Sequence, residues 1–246
     1  MSAPVLEAKD VTKVLGGGAA QVDALRDVSL SLRGGELTVL MGPSGSGKTT
    51  LLSVLGCMLA PTSGSVQVCG QAADGADAEA LAKLRRAHIG FVFQSFHLFP
   101  TLTAAENVQV ALDVRGMHGD EARAKSRIAL ERVGLAHKTA SYPLALSGGE
   151  QQRVAIARAI VSEPSAILAD EPTAALDAGN GQAIMRILAE IAKDPARGVL
   201  VVTHDARVMS FADRVIHIED GRLVGDERGG AGAAKMRTEA LSGRRA

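Results

Sequence analysis

The residues with the strongest chemical signal are Gly42, Pro43, Ser44, Gly45, Ser46, Gly47, Lys48, Thr49 and Thr50. Glycines at this spacing let successive backbone N–H groups converge on phosphate oxygens, because no β-carbon obstructs the approach. A helix that starts immediately afterwards adds the positive end of its dipole. Lys48 has the reach for β- and γ-phosphates, and the Thr49 hydroxyl suits a Mg²⁺ ion. The pattern is GxxxxGK[ST]; a chance Gly/Ser turn is the competing reading.

Four more polar residues end apolar, strand-like runs. SAILAD leads into Asp170, with Glu171 next. One carboxylate there can hold a Mg²⁺ shell, and the second can orient or deprotonate an attacking water. An acidic turn before Pro172 would also account for the pair. Gln94 closes HIGFVFQ and His204 closes GVLVVTH. Ligands of open α/β sheets collect at the carboxyl ends of strands. Gln94 is therefore placed to sense Mg²⁺ and water, and His204 to hydrogen-bond a γ-phosphate, although a satisfied structural histidine fits the position too. Finally, Ser147, Gly148 and Gly149 open a helix and offer a second set of N–H donors to an anion. Ser147 with Glu150 three residues later is also an ordinary capping box.

These residues need a scaffold of alternating strands and helices. LEAKDVTKVL, ALRDVSLSL and ELTVLMG read as strands, the second and third forming a hairpin across Arg33-Gly34-Gly35. TTLLSVLGCML has helical spacing, and SVQVCG is a further strand. ALAKLRRA is helical, followed by the short strand HIGFVFQ. From Thr103 to Val161 the pattern is mainly helical, in AAENVQVALDVRG, DEARAKSRIALERVG and GGEQQRVAIARAIVS. Strands resume in SAILAD, GVLVVTHD and the pair RVIHIED-GR-LVG, with FADR as a helix before them. This alternation predicts an α/β domain with a parallel sheet and an inserted helical lobe.

The composition narrows the function classes. The 246 residues are 46% hydrophobic, 22% charged and 2% aromatic, with Lys+Arg and Asp+Glu both at 27. Balanced charge argues against a nucleic-acid partner. Cys57 and Cys69 form no disulfide framework, and Cys57 suits core packing. His88, His97, His118, His137 and His217 lack metal-ligand spacing. No uncharged apolar run approaches the roughly 20 residues that span a bilayer, and no signal peptide is evident.

The motifs in order resemble the ATP-binding subunits of ABC transporters. GPSGSGKTT matches that family's Walker A, LSGGEQQR its signature and TAALD its D-loop; AILADEP resembles its Walker B. Gln94 and His204 fall at the Q- and H-loop places. The resemblance covers residues 4 to 224. It implies a P-loop NTPase (RecA-like) α/β core with an antiparallel β subdomain and an inserted α-helical subdomain. The expected boundaries are an ATP-binding domain over 1–224, its helical part about 95–162, and a flexible tail over 225–246. The implied cofactors are ATP and Mg²⁺. The implied assembly is a head-to-tail dimer, with a second copy or a paralogue, that clamps two ATP molecules.

By this resemblance the Gly42–Thr50 loop cradles ATP, with Thr50 at the α-phosphate. Ser147, Gly148 and Gly149 of one subunit meet the γ-phosphate held by the partner's Lys48. Glu171 is the general base, aided by Lys48, Gln94 and His204. Thr49, Gln94 and Asp170 serve Mg²⁺, and Asp177 couples the two sites. One departure stands out: where the family usually places an adenine-stacking aromatic, this chain has Leu15, so adenine selectivity is expected to be weak, or Leu15 and Val22 to supply only apolar contact.

The partner follows from the phenylalanines. Four of five lie in FVFQSFHLF; Phe91 and Phe93 read as core, while Phe96, Leu98 and Phe99 form either a docking patch or buried packing. In the resembling family this region receives a coupling helix from the transmembrane subunit, and with no span in this sequence the permease is expected to be a separate polypeptide. GFVFQSFHLFPTLTAAENV and VTHDARVMSFADRVIHIEDGRL further resemble a subgroup serving lipoprotein release and macrolide export, some members of which work with a periplasmic adaptor. The implied place is cytoplasmic, peripheral on the inner face of the cell membrane. FtsE-like cell-division ATPases share these motifs. A soluble ABC ATPase of translation or DNA maintenance is disfavoured, since about 100 residues without heptads separate Lys48 from Gly148.

Overall fold

The computed structural model describes residues 3–17 and 21–229. Two sheets divide the strands according to how each is buried. In the first, β1 (Pro4–Leu15) pairs antiparallel with β2 (Val22–Arg33) and β4 (Ser63–Val68), and β5 (Gln71–Ala72) closes the edge. The second sheet has the order β10-β9-β3-β8-β7-β6. Its members are β3 (Leu37–Met41), β6 (Ile89–Val92), β7 (Ala166–Asp170), β8 (Gly198–Thr203), β9 (Arg214–Glu219) and β10 (Arg222–Arg228). All its pairs are parallel except β9 with β10.

The expected hairpin between β2 and β3 does not form; β2 pairs with β1, and β3 lies in the other sheet. Every residue of β3 is buried, so the strand needs cover on both faces, which only the middle of a parallel sheet provides. β2 alternates between exposed and buried positions and suits a sheet with one wet face. FADR is not a helix either: a 3-10 turn ends at Phe211 and Arg214 already opens β9.

The parallel sheet separates two cores by its two-residue period. Leu37, Val39, Ile167, Ala169, Val199 and Val201 face the helices. Leu40, Ala166, Leu168, Leu200, Val202 and Ile216 face α1 (Lys48–Leu55) and the antiparallel sheet. α2 (Ala78–His88) leads into β6, as read. The segment 95–162 holds α3 (Ala104–Asp113), α4 (Gly119–Arg132) and α5 (Gly148–Ile160), and α6 (Ala178–Ala192) follows β7. α5 is shared between the lobe and the sheet: a β-carbon on Gly90 of β6 would lie 2.3 Å from the Ala159 carbonyl oxygen.

The tail read from residue 225 begins inside β10, which runs to Arg228. The strand is pinned by the buried Arg214, whose Nε and Nη2 donate to Asp226 at 2.7 and 2.6 Å. Arg214 Nη1 donates to the Ser31 carbonyl at 2.7 Å, tying the two sheets together. Residues 230–246 of that segment lie outside the described residues. Among the described residues no helix is long and apolar enough to cross a membrane.

Candidate active site

Sheet order brings the polar residues together. Met41 of β3 sits beside Thr203 of β8, and Val202 of β8 beside Asp170 of β7, so three strand ends release their chains side by side. Gly42–Thr50 leaves the first, His204 the second and Glu171 the third. β6, next to β7, leads to Gln94, which lines a cavity of about 530 Å³ with Glu171 and His204.

The glycine-rich loop is held by tight packing. A β-carbon on Gly42 would lie 2.2 Å from the Ile218 carbonyl oxygen, and one on Gly47, at φ +99°, 2.4 Å from that of Ala24. The Gly221 N–H donates to the Ser46 carbonyl at 3.0 Å, and the Arg26 N–H to that of Gly221 at 2.8 Å. Lys48 is buried, with Nζ donating to the carbonyls of Gly42 and Pro43 at 2.8 and 2.7 Å. No side chain caps α1 and no acid occupies its first turn, so nothing on the helix itself offsets its positive end. Ser46 Oγ is buried without a hydrogen-bond partner. Together these leave an anion cradle open to a cavity of about 490 Å³, whose far wall holds Leu15 and Val22.

The acidic pair divides its contacts. Thr49 Oγ1 donates to Asp170 Oδ1 at 3.3 Å. Burial pushes the Asp170 carboxyl above the usual carboxylate range, opposed by the Thr49 hydrogen bond; the Glu171 charge adds to the rise and Lys48 opposes it. Glu171, at φ +46°, turns its side chain toward β8. Its Oε2 accepts from Thr203 Oγ1 at 2.8 Å, and its Oε1 lies 2.6 Å from His204 Nδ1. Thr203 at the end of β8 and His204 just beyond it thus hold one carboxylate between them. Thr203 was missed in the sequence because a threonine ending a strand is common for reasons of β-propensity alone.

The second glycine turn lies elsewhere. Ser147 and Glu150 form the capping box, and the same turn abuts the start of α6. A β-carbon on Gly149 would meet Asn180 Oδ1 at 2.6 Å, and one on Gly148 would lie 3.5 Å from Leu176. Asp177 caps α6, accepting from the Asn180 N–H at 2.9 Å and from its Nδ2 at 2.6 Å. Ser147, Gly148 and Gly149 line neither of the two cavities.

The phenylalanine segment differs from the sequence reading. Phe91 and Phe93 are half-buried, stacked at 5.6 Å, and with Phe99, Val110 and Val114 line a groove of about 430 Å³. Both rings sit at the sheet edge, where β6 has no further strand beside it among the described residues. Leu98 packs on the core instead, and the Arg158 guanidinium holds the carbonyls of Phe96 and His97.

Comparison with known proteins agrees with this geometry. The family model described as ABC transporter matches residues 25–174. Macrolide export ATP-binding/permease proteins MacB of Shigella flexneri and Escherichia coli are 45% identical over 221 residues, covering 90% of this chain and 34% of theirs. The chain spans about a third of the length of these curated relatives. The dimeric structure of a post-hydrolysis state of the ATP-binding cassette MJ0796, bound to ADP and Pi, is 42% identical with a TM-score of 0.83, over 91% of this chain and 98% of that one. CbiO1 of Clostridium perfringens, part of the ABC transporter complex cbiONQ, is 28% identical with a TM-score of 0.84, over 97% and 92%. With a family model across more than half its residues and a cassette of this size matched almost end to end, the chain belongs to the ABC transporter family as an ATP-binding cassette.

Proposed function

We propose that this chain is the ATP-hydrolysing subunit of an ABC transporter. ATP closes two copies head to tail, and hydrolysis reopens them to drive a separate permease of exporter or envelope lipid or lipoprotein type. The observation that carries the reading is the split site: a phosphate cradle with its acid pair on one part of the surface, and the Ser147 turn outside its cavity. A second copy would bring Ser147, Gly148 and Gly149 to the γ-phosphate held by Lys48. The dimeric ATP-binding cassette that this chain resembles supports that assembly.

The reaction is transfer of the γ-phosphoryl group to water, a process governed by positioning and charge stabilisation. Lys48 and the N–H groups of Gly45–Thr50 hold the phosphates. Glu171, fixed by Thr203 and His204, takes the proton of the attacking water, with Gln94 in the same cavity wall. The Mg²⁺ donor set fits a metal that arrives with nucleotide. Among the described residues no group of three or more His, Cys, Asp or Glu side chains could hold a metal alone. Mg²⁺ characteristically takes one or two carboxylates plus phosphate oxygens; Asp170 would supply the carboxylate, Thr49 a hydroxyl and the nucleotide the phosphate oxygens, with Gln94 nearby. When bound, the ion would neutralise charge on the phosphates.

The groove beside Phe91 and Phe99 supports a permease partner. Arg85, Arg115 and Arg158 donate there to the carbonyls of Cys57, Ser162 and Phe96, and none of these bonds ends on a carboxylate. An apolar segment carrying an acid fits such a surface. The chain's place is then the inner face of the cell membrane, as a peripheral subunit. The deciding experiment is Glu171→Gln: turnover is expected to fall at least about a hundredfold while ATP-dependent dimerisation by size-exclusion chromatography persists. Parental hydrolysis by this variant would refute the assignment.

A further inference from the structure

We infer that Gln152 is a positioning residue of the nucleotide cycle. Its amide is unpaired in the single chain and gains hydrogen bonds when the segments leaving β6 and β7 close on bound nucleotide. This rests on the ATPase reading and adds to it a residue that lines neither cavity of the site.

Gln152 is fully buried on α5, yet neither Nε2 nor Oε1 has a hydrogen-bond partner. Among the described residues no other buried side chain leaves two polar atoms orphaned. The helical lobe can satisfy a buried amide. Asn107 of α3 is as deeply buried, and its Nδ2 reaches the carbonyls of Phe99, Leu102 and Thr103 at 3.1, 2.9 and 3.0 Å. Its Oδ1 accepts from the Phe99 N–H at 2.7 Å. A buried amide with nothing to bond costs stability that an apolar side chain of similar volume would not.

Helix and strand geometry place this amide. Gly148, Gln152 and Ala159 share one face of α5. The Ala159 carbonyl meets Gly90 of β6, whereas Gly148 faces Leu176 and Phe96 beyond the ends of β7 and β6. α5 therefore runs antiparallel to β6. The helix rise from Ala159 back to Gln152 is about 10 Å. The same distance along β6 from Gly90 ends at about Phe93. β7 has Ile167 beside Gly90 and reaches that level at about Asp170. Gln152 thus lies behind the points where Gln94 and Glu171 leave their strands.

Both departing segments hold residues in left-handed backbone: Glu171 at φ +46°, and Phe96 and His97 at φ +58° and +48°. Non-glycine residues there are strained, so each segment has a less strained conformation within reach. A glutamine amide can donate twice and accept twice, so it can take up backbone groups of either segment as it moves. The bonds gained favour the closed arrangement over the open one, because only the closed arrangement has them.

The test is Gln152→Met, which keeps the side-chain length and removes both polar atoms. Without nucleotide, the melting temperature should rise by about 3 °C. The further rise brought by Mg²⁺ and an ATP analogue with an imido bridge between the β- and γ-phosphates should shrink by about as much. With ATP, kcat should fall about tenfold and KM stay within about twofold. An unchanged or lowered melting temperature without nucleotide would show that the amide already has partners. A raised one, with the parental response to analogue and the parental kcat, would show that it gains none. Either result overturns the inference and leaves the ATPase reading standing. Gln152→Leu is measured beside it, and failure of both variants to fold would also overturn the inference, since an unpaired amide is dispensable to folding. A parent chain that neither melts higher with the analogue nor hydrolyses ATP overturns the ATPase reading, and this inference with it.

Discussion

Two hydrogen-bonding partners, one ending β8 and one just beyond it, bear on how Glu171 would act as the proposed base. A carboxylate that must accept a proton from water works only if its oxygens are aimed before the water arrives. Thr203 is fully buried at the end of β8 and donates to Oε2, while its oxygen also accepts from the Asp205 N–H at 3.0 Å. In the proposed mechanism it would act through Glu171, since it lines neither cavity, which makes it a positioning residue. Thr203→Val keeps the volume and removes both bonds. In steady-state kinetics kcat should fall about tenfold with KM within about twofold, and Thr203→Ser should restore most of the rate. At this scale the sequence was legible wherever a polar residue broke an apolar run, as at Asp170, Glu171 and His204. Thr203 and Asn180 were hidden, because a strand-end threonine and a first-turn asparagine have common structural uses. Their roles depend on neighbours more than 30 residues away in the chain.

Strand placement was legible less evenly. β3 and β2 are consecutive and separated by Gly34-Gly35, so local turn chemistry favours a hairpin, yet burial assigns them to different sheets. The continuous apolar run of β3 was the available signal, since a strand with one wet face would alternate. The end of the chain erred the opposite way: Gly225 and the charged residues after it look unlike a strand, but Arg214 holds Asp226 on its far partner. The Arg214 hydrogen bond keeps the Asp226 carboxyl below the usual carboxylate range, with burial opposing and the Arg214 charge assisting. A depressed folded value means that the unfolded chain binds more protons. The stabilisation is present above the ordinary carboxylate pKa of about 4 and is lost as pH falls through the lower folded value. Asp226→Asn should therefore cost about 1 kcal/mol at pH 7, a figure already reduced for its half-exposed side chain. It should also flatten the loss of stability toward acid pH. Urea unfolding at neutral pH and near pH 3 would measure both effects.

At the scale of the whole molecule, the proposed function gives the chain two incomplete halves of one reaction, joined by packed contacts. The Ser147 turn presses on Asn180, which Asp177 holds, and the loop before Asp177 leads back to Glu171. In the proposed dimer, one chain would thus link the turn it offers to a neighbour's nucleotide with the acid that serves its own. Head-to-tail pairing would make this arrangement symmetric, each copy lending its turn and borrowing the other's. The composite site can be tested by mixing two inactive proteins. Lys48→Ala lacks the cradle's cation but keeps a sound Ser147 turn, and Ser147→Arg keeps the cradle but obstructs the turn. Each variant alone should hydrolyse little ATP, because both sites of its homodimer are defective. In an equal mixture, half the dimers are hybrids, and each hybrid has one intact site and one doubly defective site. Random pairing then predicts recovery to about a quarter of the parental rate if sites fire singly. Recovery should scale with the hybrid fraction as the mixing ratio is varied, with a maximum at equal amounts. A mixture whose rate equals the average of its two components would exclude single-firing sites shared between chains, and with them the split geometry on which the transport cycle depends.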